Sequence, residues 1–361
     1  MNRKYKICVY AICKNESAFV DRWLEPLDEA DMIVVTDTGS TDDTAACLEA
    51  RGVRVHTFIP ETFRFDVCRN YCLDRIPSDI DICVSLDMDE IIMPGWRDAI
   101  ERAWTDKTAL GRYIFNWSLR EDGTPEVQYH YDRIHSRRGW RWVYPTHEIL
   151  EYTLNGKPLQ TFIPDLTVNH YPDKEKCRSF NLPLLELAVR ENPHSARNLH
   201  YLGREYMYAE KWQNCIDTLT EYLSPNISFW DEERSASMRF IARSYSMLGN
   251  PTEQKKWLYR AVAEAPRLRE PYMELAFAAY KSGDFESQYY FSREALKIDQ
   301  KTYGYANEIF AWNAEPYDLA AIALFNLGRI DEAIQFSEKA IAQDPSCERL
   351  RENHRLYLSA K

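Results

Sequence analysis

The hydrophobic pattern of this chain changes period once, near residue 173, and no single small fold accommodates both halves. Before that point short apolar runs, residues 7–12, 32–35 and 53–58, read as buried strands, and stretches with helical spacing such as Phe19, Val20, Trp23 and Leu24 fall between them. Strands alternating with helices imply right-handed βαβ units, hence a largely parallel sheet with helices on both faces. After residue 173 strand signals vanish and helical periodicity takes over. The expected division is therefore an α/β domain over residues 1–172 and an all-α domain over 173–361, in keeping with a length of 361 residues.

Open α/β sheets bind ligands beyond the carboxyl ends of their strands, so the polar residues at those ends are the first candidates for a site. The run Cys83-Val84-Ser85-Leu86 delivers Asp87 and Asp89, one residue apart. Period-two alternation sends both carboxylates to the same side if the extended conformation persists. Paired hard oxygens suit a hydrated Mg²⁺ or Mn²⁺ that bridges to a phosphate. A lone Asp-x-Asp is more often an acidic surface turn, and it is the neighbouring motifs that lift this one above that reading. Asn15 and Glu16 follow the first strand, and Thr36-Asp37-Thr38-Gly39-Ser40-Thr41-Asp42-Asp43-Thr44 follows the second.

The order of an apolar strand, the Asp37 to Thr44 turn, Arg69-Asn70 and Asp87-Met88-Asp89-Glu90 resembles the nucleotide-sugar half of a family 2 glycosyltransferase with the GT-A fold. Further on, Arg133, Trp140, Trp142 and His147-Glu148 resemble a signature of a bacterial subset of that family, which includes lipopolysaccharide-core glucosyltransferases and sublancin-type peptide S-glycosyltransferases. The resemblance implies a UDP-sugar donor carrying glucose or N-acetylglucosamine, transfer with inversion, and Mn²⁺ or Mg²⁺. It implies that Asp37 meets the base, that Arg69, Asn15 and Glu16 lie along the nucleotide, that Asp87 contacts ribose or metal, and that Asp89 ligates the metal. Glu148 stands where related enzymes place an acidic catalytic base. A late histidine closes the metal site in many such enzymes; His170 and His147 compete for that role, and a structural histidine is the alternative for either. Trp142 is a candidate for contact with the donor, with burial in the core as the competing reading.

Composition narrows the partners. A net charge of -11 argues against a nucleic-acid surface. Nine cysteines without CxxC pairs match neither a disulfide framework nor a zinc site and fit a reducing cytoplasm. Residues 1–6 run straight into an apolar strand without a signal core, and no window approaches the ~18 apolar residues of a membrane span.

The second half is self-similar. Leu202-Gly203 with Cys215 and Leu219, Ile241-Ala242 with Gly249 and Ala261, Leu275-Ala276 with Gly283 and Ala295, and Ala320-Ala321 with Gly328, Ala333 and Ala340 stack as four helix pairs. Small residues at equivalent places let paired helices approach. The pattern resembles the tetratricopeptide repeat, with residues 224–231 and 300–313 as insertions. Such a solenoid offers a groove for a protein or peptide acceptor, or a homodimer contact. The expected function is thus transfer of a sugar to a protein or peptide. The alternatives are a lipopolysaccharide or other glycan acceptor, or a silent transferase domain on a repeat scaffold.

Overall fold

The computed structural model describes residues 4–173, 181–302 and 304–361. Residues 1–3, and residues 174–180 just past the boundary expected at 172, lie outside them. The chain forms two compact units, Met1–Ala188 and Val189–Lys361. Among the described residues no helix is long and apolar enough to cross a membrane.

The first unit is built on an eight-stranded sheet, in the order β3-β2-β1-β4-β7-β6-β10-β5. Its strands are β1 (Ile7–Cys13), β2 (Met32–Asp37), β3 (Arg54–Thr57), β4 (Ile82–Ser85), β5 (Glu90–Ile92), β6 (Thr108–Leu119), β7 (Pro125–Ser136) and β10 (Leu159–His170), while β8 (Trp140–Val143) and β9 (Ile149–Tyr152) make a separate hairpin. Four short helices intervene: α1 (Val20–Leu24), α2 (Thr44–Glu49), α3 (Phe65–Asp74) and α4 (Trp96–Ala103). Alternation along β1 explains the layers. Ile7, Val9, Ala11 and Cys13 face a core with Trp23, Leu48, Trp96 and Ile100 from α1, α2 and α4, while Cys8 and Tyr10 face Cys72 and Leu73 of α3. Helices therefore cover both faces, as the sequence implies.

The expectation of a largely parallel sheet needs correction. β3, β2, β1 and β4 are parallel to one another, but β7 pairs antiparallel with both β4 and β6, and β5 pairs antiparallel with β10. The sheet is mixed. The long aromatic strands β6 and β7 form a near-contiguous hairpin, and a hairpin needs no crossover helix to join its strands.

The second unit is all helical: α5 (Asn181–Glu191) leads into it from the first, followed by α6 (Ala196–Tyr208), α7 (Trp212–Tyr222), α8 (Asp231–Met247), α9 (Pro251–Glu264), α10 (Arg269–Ser282), α11 (Phe285–Leu296), α12 (Glu315–Asn326), α13 (Ile330–Gln343) and α14 (Glu348–Ser359). These fall into the four antiparallel pairs expected, α6 with α7 through α12 with α13, and α14 closes the array. The small residues sit where the pairs touch: Ala242, Ala261, Ala276, Ala295, Ala320, Ala333 and Ala340 are fully buried. Tyr206 and Tyr245 pack against the apolar core of the first pairs, whereas Tyr280 is exposed.

Candidate functional site

The strand order reverses between β1 and β4, since β2 lies on one side of β1 and β4 on the other. A crevice opens at such a switch point, outside the carboxyl ends of the strands. The turns after β1 and β2 form one wall and are bonded to each other. Asn15, with a left-handed φ of 55°, accepts through Oδ1 from Thr41 N at 2.7 Å and donates its own backbone N–H to Ser40 Oγ at 2.9 Å. Glu16 N donates to Thr44 Oγ1 and Ser17 N to Asp42 Oδ2. Asp37 is buried at the end of β2, and its Oδ1 accepts from Gly39 N at 3.0 Å and Ser40 N at 2.8 Å. This is the turn-forming role of Asp, and it leaves Oδ2 outside the turn.

The opposite wall is a buried charge cluster assembled by α3, β4, β7 and the loop before β9. Arg69, 2% exposed, donates from Nε to Glu148 Oε1 at 2.7 Å and from Nη2 to both Asp87 oxygens at 2.7 and 2.9 Å. Arg133 reaches the same groups from β7, with Nη1 2.6 Å from Asp87 Oδ2 and 3.6 Å from Glu90 Oε1, and Nη2 3.6 Å from Glu148 Oε1. Burial alone would raise the Asp87 carboxyl, but the two guanidiniums outweigh it and hold it well below the usual carboxylate range. Glu90 goes the other way: burial first, then the charge of Asp87, push its carboxyl up. It accepts from Asp87 N through Oε2 at 2.9 Å.

The Arg69-Asn70 pair divides two tasks. Arg69 holds carboxylates, and Asn70 holds the chain that carries one of them, since its side chain donates to Trp142 O at 2.8 Å and accepts from Trp142 N at 2.9 Å. Phe65 N donates to Pro145 O, a second tie between α3 and the β8–β9 loop. That loop turns sharply, with φ of 80° at Tyr144 and 49° at His147, before presenting Glu148.

Asp89 and His170 meet because β5 pairs with β10: His170 lies opposite Glu90, and Tyr171 N donates to Asp89 O at 2.7 Å. His170 Nε2 stands 3.3 Å from Asp89 Oδ2. Its Nδ1 lies 3.1 Å from Trp117 O, an acceptor, so Nδ1 carries the proton and Nε2 is turned towards Asp89. Burial disfavours the charged ring, but Asp89 prevails and raises the His170 pKa.

Of the residues expected at a site, the structure brings Arg69, Asp87 and Glu148 into one cluster, Asp89 and His170 into a pair, and Asn15, Glu16 and Asp37 into the facing wall. Two open alternatives narrow: Asp87, expected at ribose or metal, is committed to Arg69 and Arg133, and of the two histidines expected to compete it is His170 that stands beside Asp89. Trp142 is the clearest correction. It is 2% exposed, its Nε1 donates to Tyr10 OH at 2.9 Å, and the Arg69 guanidinium lies 5.0 Å from its ring centroid, so it has no face free for a sugar. It is a core residue that supports Arg69.

Two residues outside that set belong with it. Arg133 stood in the sequence as the first member of Arg133-Ile134-His135, and alternation on a strand ending beside β4 is the signal that points it at Asp87. Trp117 stacks on His170 at 4.5 Å between centroids and is 41% exposed. It lies at a break in the β6–β7 register, and such a bulge redirects a side chain. No periodicity rule would place it there.

Among the described residues no three His, Cys, Asp or Glu side chains cluster as a metal cage. The Asp89–His170 pair nevertheless fits a Mg²⁺ or Mn²⁺ site of the kind that takes one or two protein ligands and completes its shell with substrate phosphates and water.

Residues 314–347, which cover the α12–α13 pair, match the sequence profile of the tetratricopeptide repeat. The C-terminal unit therefore carries a tetratricopeptide repeat. The chain is also similar to solved repeat structures. For MamA the identity is 15% over 45% of this chain and 86% of MamA, with a TM-score of 0.38. For a thermophilic TPR protein in Thermus thermophilus it is 18% over 49% and 89%, with a TM-score of 0.34. For the type IV pilus biogenesis factor PilW it is 15% over 47% and 72%, with a TM-score of 0.39.

Proposed function

We propose that the first unit is a metal-dependent inverting glycosyltransferase of GT-A type that moves a sugar, glucose or N-acetylglucosamine, from a UDP-sugar to a protein or peptide held by the repeats. The observation that carries this reading is the division of labour at the ends of β4 and β5: Asp87 locked by two arginines, and Asp89 beside His170 with its side chain 23% exposed.

In this reading Asp37 and the Asn15–Glu16 turn bind the uridine, and Asp87, fixed by Arg69 and Arg133, orients the ribose. Asp89 and His170 would hold the cation, which when bound would supply positive charge against the departing diphosphate. Glu148 takes the acceptor proton as the acceptor forms its bond to the anomeric carbon and the bond from that carbon to the diphosphate oxygen breaks on the opposite face. Both ion pairs of Glu148 go to Oε1, so Oε2 is the oxygen for the proton. Trp117, not Trp142, supplies the exposed aromatic face for the sugar.

The test is Glu148→Gln. It should lower turnover by roughly 10²- to 10⁴-fold, the range for a lost general base, with donor affinity retained. An equal loss of UDP binding would make Glu148 a positioning residue for Arg69 instead. Transfer to a glycan but to no peptide would move the acceptor to a lipopolysaccharide type.

A further inference from the structure

The connection between α11 and α12 does not stay at the edge of the helices it joins. Its residues 304–312 reach back to α10, α8 and α6, the first helices of their pairs, and bond to them as a bound peptide would. Tyr305 donates its hydroxyl to Glu233 and stacks near Tyr201, with centroids 6.2 Å apart. Arg239 donates to Ala306 O at 3.1 Å and to Glu308 Oε1 at 2.6 Å, and Arg243 reaches both Glu308 oxygens at 2.8 and 2.9 Å. Glu270 Oε1 accepts from Glu308 N at 3.1 Å and from Trp312 Nε1 at 2.8 Å. Two rings, one carbonyl, one carboxylate and one backbone N–H are thus each read by a side chain from the α8–α10 face.

The fit is incomplete. Arg239 Nε, Glu270 Oε2 and Asn307 Oδ1 are buried with no hydrogen-bond partner among the described residues. Buried polar groups left in this state weaken the arrangement that buries them. Beside the segment a cavity of about 560 Å³ remains, lined by Met207, Trp212, Met247, Phe277 and Phe310, and it shares Arg243 and Glu274 with the clamp. The chain's own segment thus lies next to an open space of mixed lining, in which apolar side chains stand beside Glu210, Gln254 and Lys281 and which a bulky side chain fits.

We propose that Arg239, Arg243, Glu233 and Glu270 form a peptide-binding groove, that residues 304–312 occupy it in the resting chain, and that a partner peptide carrying a carboxylate flanked by aromatic or bulky apolar residues enters from the cavity and displaces them. Arg239 and Arg243 each pair with Glu274 Oε1 of α10, at 3.0 and 2.7 Å, and with Glu308 of the segment, so the two guanidiniums face one carboxylate of their own wall and one from the occupant, and that second carboxylate sets the acidic requirement. Glu270, an acceptor for backbone N–H, sets the main-chain register. The inference does not depend on the sugar-transfer reading.

A fluorescent nonapeptide copy of residues 304–312 is the probe. A groove that is filled most of the time binds more weakly by the fraction of time it is open, so Glu308→Gln in the full chain, which loosens the resident segment and leaves the groove intact, should bind the probe about tenfold or more tightly than wild type. Adding Arg243→Gln should remove that gain. Folded Glu308→Gln protein that binds the probe no better than wild type would overturn the proposal. A second measurement needs no variant: amides of residues 304–312 should exchange with solvent far faster than those of α8 and α10 in the unaltered chain. Equal protection would make the segment a permanent part of the core and overturn it as well.

Discussion

At the scale of single residues the first unit depends on buried charge that is balanced group by group. Arg133 lies 9% exposed between Asp87, Glu90 and Glu148, so its removal leaves three carboxylates around one remaining guanidinium. Breaking a buried pair from one side costs about 3–5 kcal/mol, and Arg133→Met should lose stability on that order in denaturant unfolding, besides any loss of activity. His135 makes a separate prediction. It is fully buried, with Nε2 2.8 Å from Tyr10 OH and Nδ1 2.8 Å from Ser136 O. Burial, with help from the charge of Arg137, depresses its pKa to about 4. The unfolded chain takes up the proton near pH 6.5 while the native chain stays neutral down to about 4, so stability is full above 6.5 and falls as pH drops through that window. The loss is on the order of 3 kcal/mol. Unfolding curves at pH 7 and pH 4.5 should diverge for wild type and lie closer together for His135→Gln. Much of this site was legible because Asp37 closes β2 and Asp87 and Asp89 follow β4, but alternation does not say where the last two point: β4 ends at Ser85 and the chain turns at residues 88–89, so Asp87 goes to the arginines and Asp89 to His170. Between donor contact and core, Trp142 could not be decided because aromatic chemistry does not say which face of a hairpin is covered by α3, and Trp117 was missed because a bulge breaks the alternation on which such a reading relies.

At the scale of elements two pairings carry the account. β5 is only three residues long, and its antiparallel register with β10 is what sets His170 beside Asp89. A three-residue strand has no signature of its own in the sequence, so the choice between His170 and His147 rested on a contact that only the folded sheet defines. In the second unit the close approach of α6 and α7 rests on Gly203, where an added Cβ would lie 2.4 Å from Leu219, itself fully buried. Alanine is the better helix former by about 1 kcal/mol, but overpacking costs about 1–3 kcal/mol. Leu219 has no room to retreat, so the clash should win, and Gly203→Ala should lower the melting temperature of the chain. A rise would mean that α7 shifts freely against α6. These helix pairs were readable in sequence since each small residue marks a contact that repeats, whereas α3 and the segment after α11 follow no repeat.

At the scale of the whole molecule each unit has its own core, and all the residues assigned to the donor site lie between Asn15 and His170. A chain ending near residue 193 should therefore retain donor binding and lose transfer to a macromolecular acceptor, with circular dichroism and solubility checked first, because cutting a repeat array exposes apolar helix faces. Retained transfer by a folded truncation would leave the repeats with an anchoring or dimerising role. The central claim, that Asp89 and His170 hold a cation at a nucleotide-sugar site, is tested most directly by offering the full chain a panel of nucleotide sugars with Mn²⁺ and recording release of the nucleotide diphosphate without an acceptor. The account predicts slow hydrolysis of a UDP-sugar that EDTA abolishes and that Asp89→Asn loses while the protein remains folded. Hydrolysis unchanged by EDTA and by Asp89→Asn, or no binding of any nucleotide sugar by the intact chain, would contradict it.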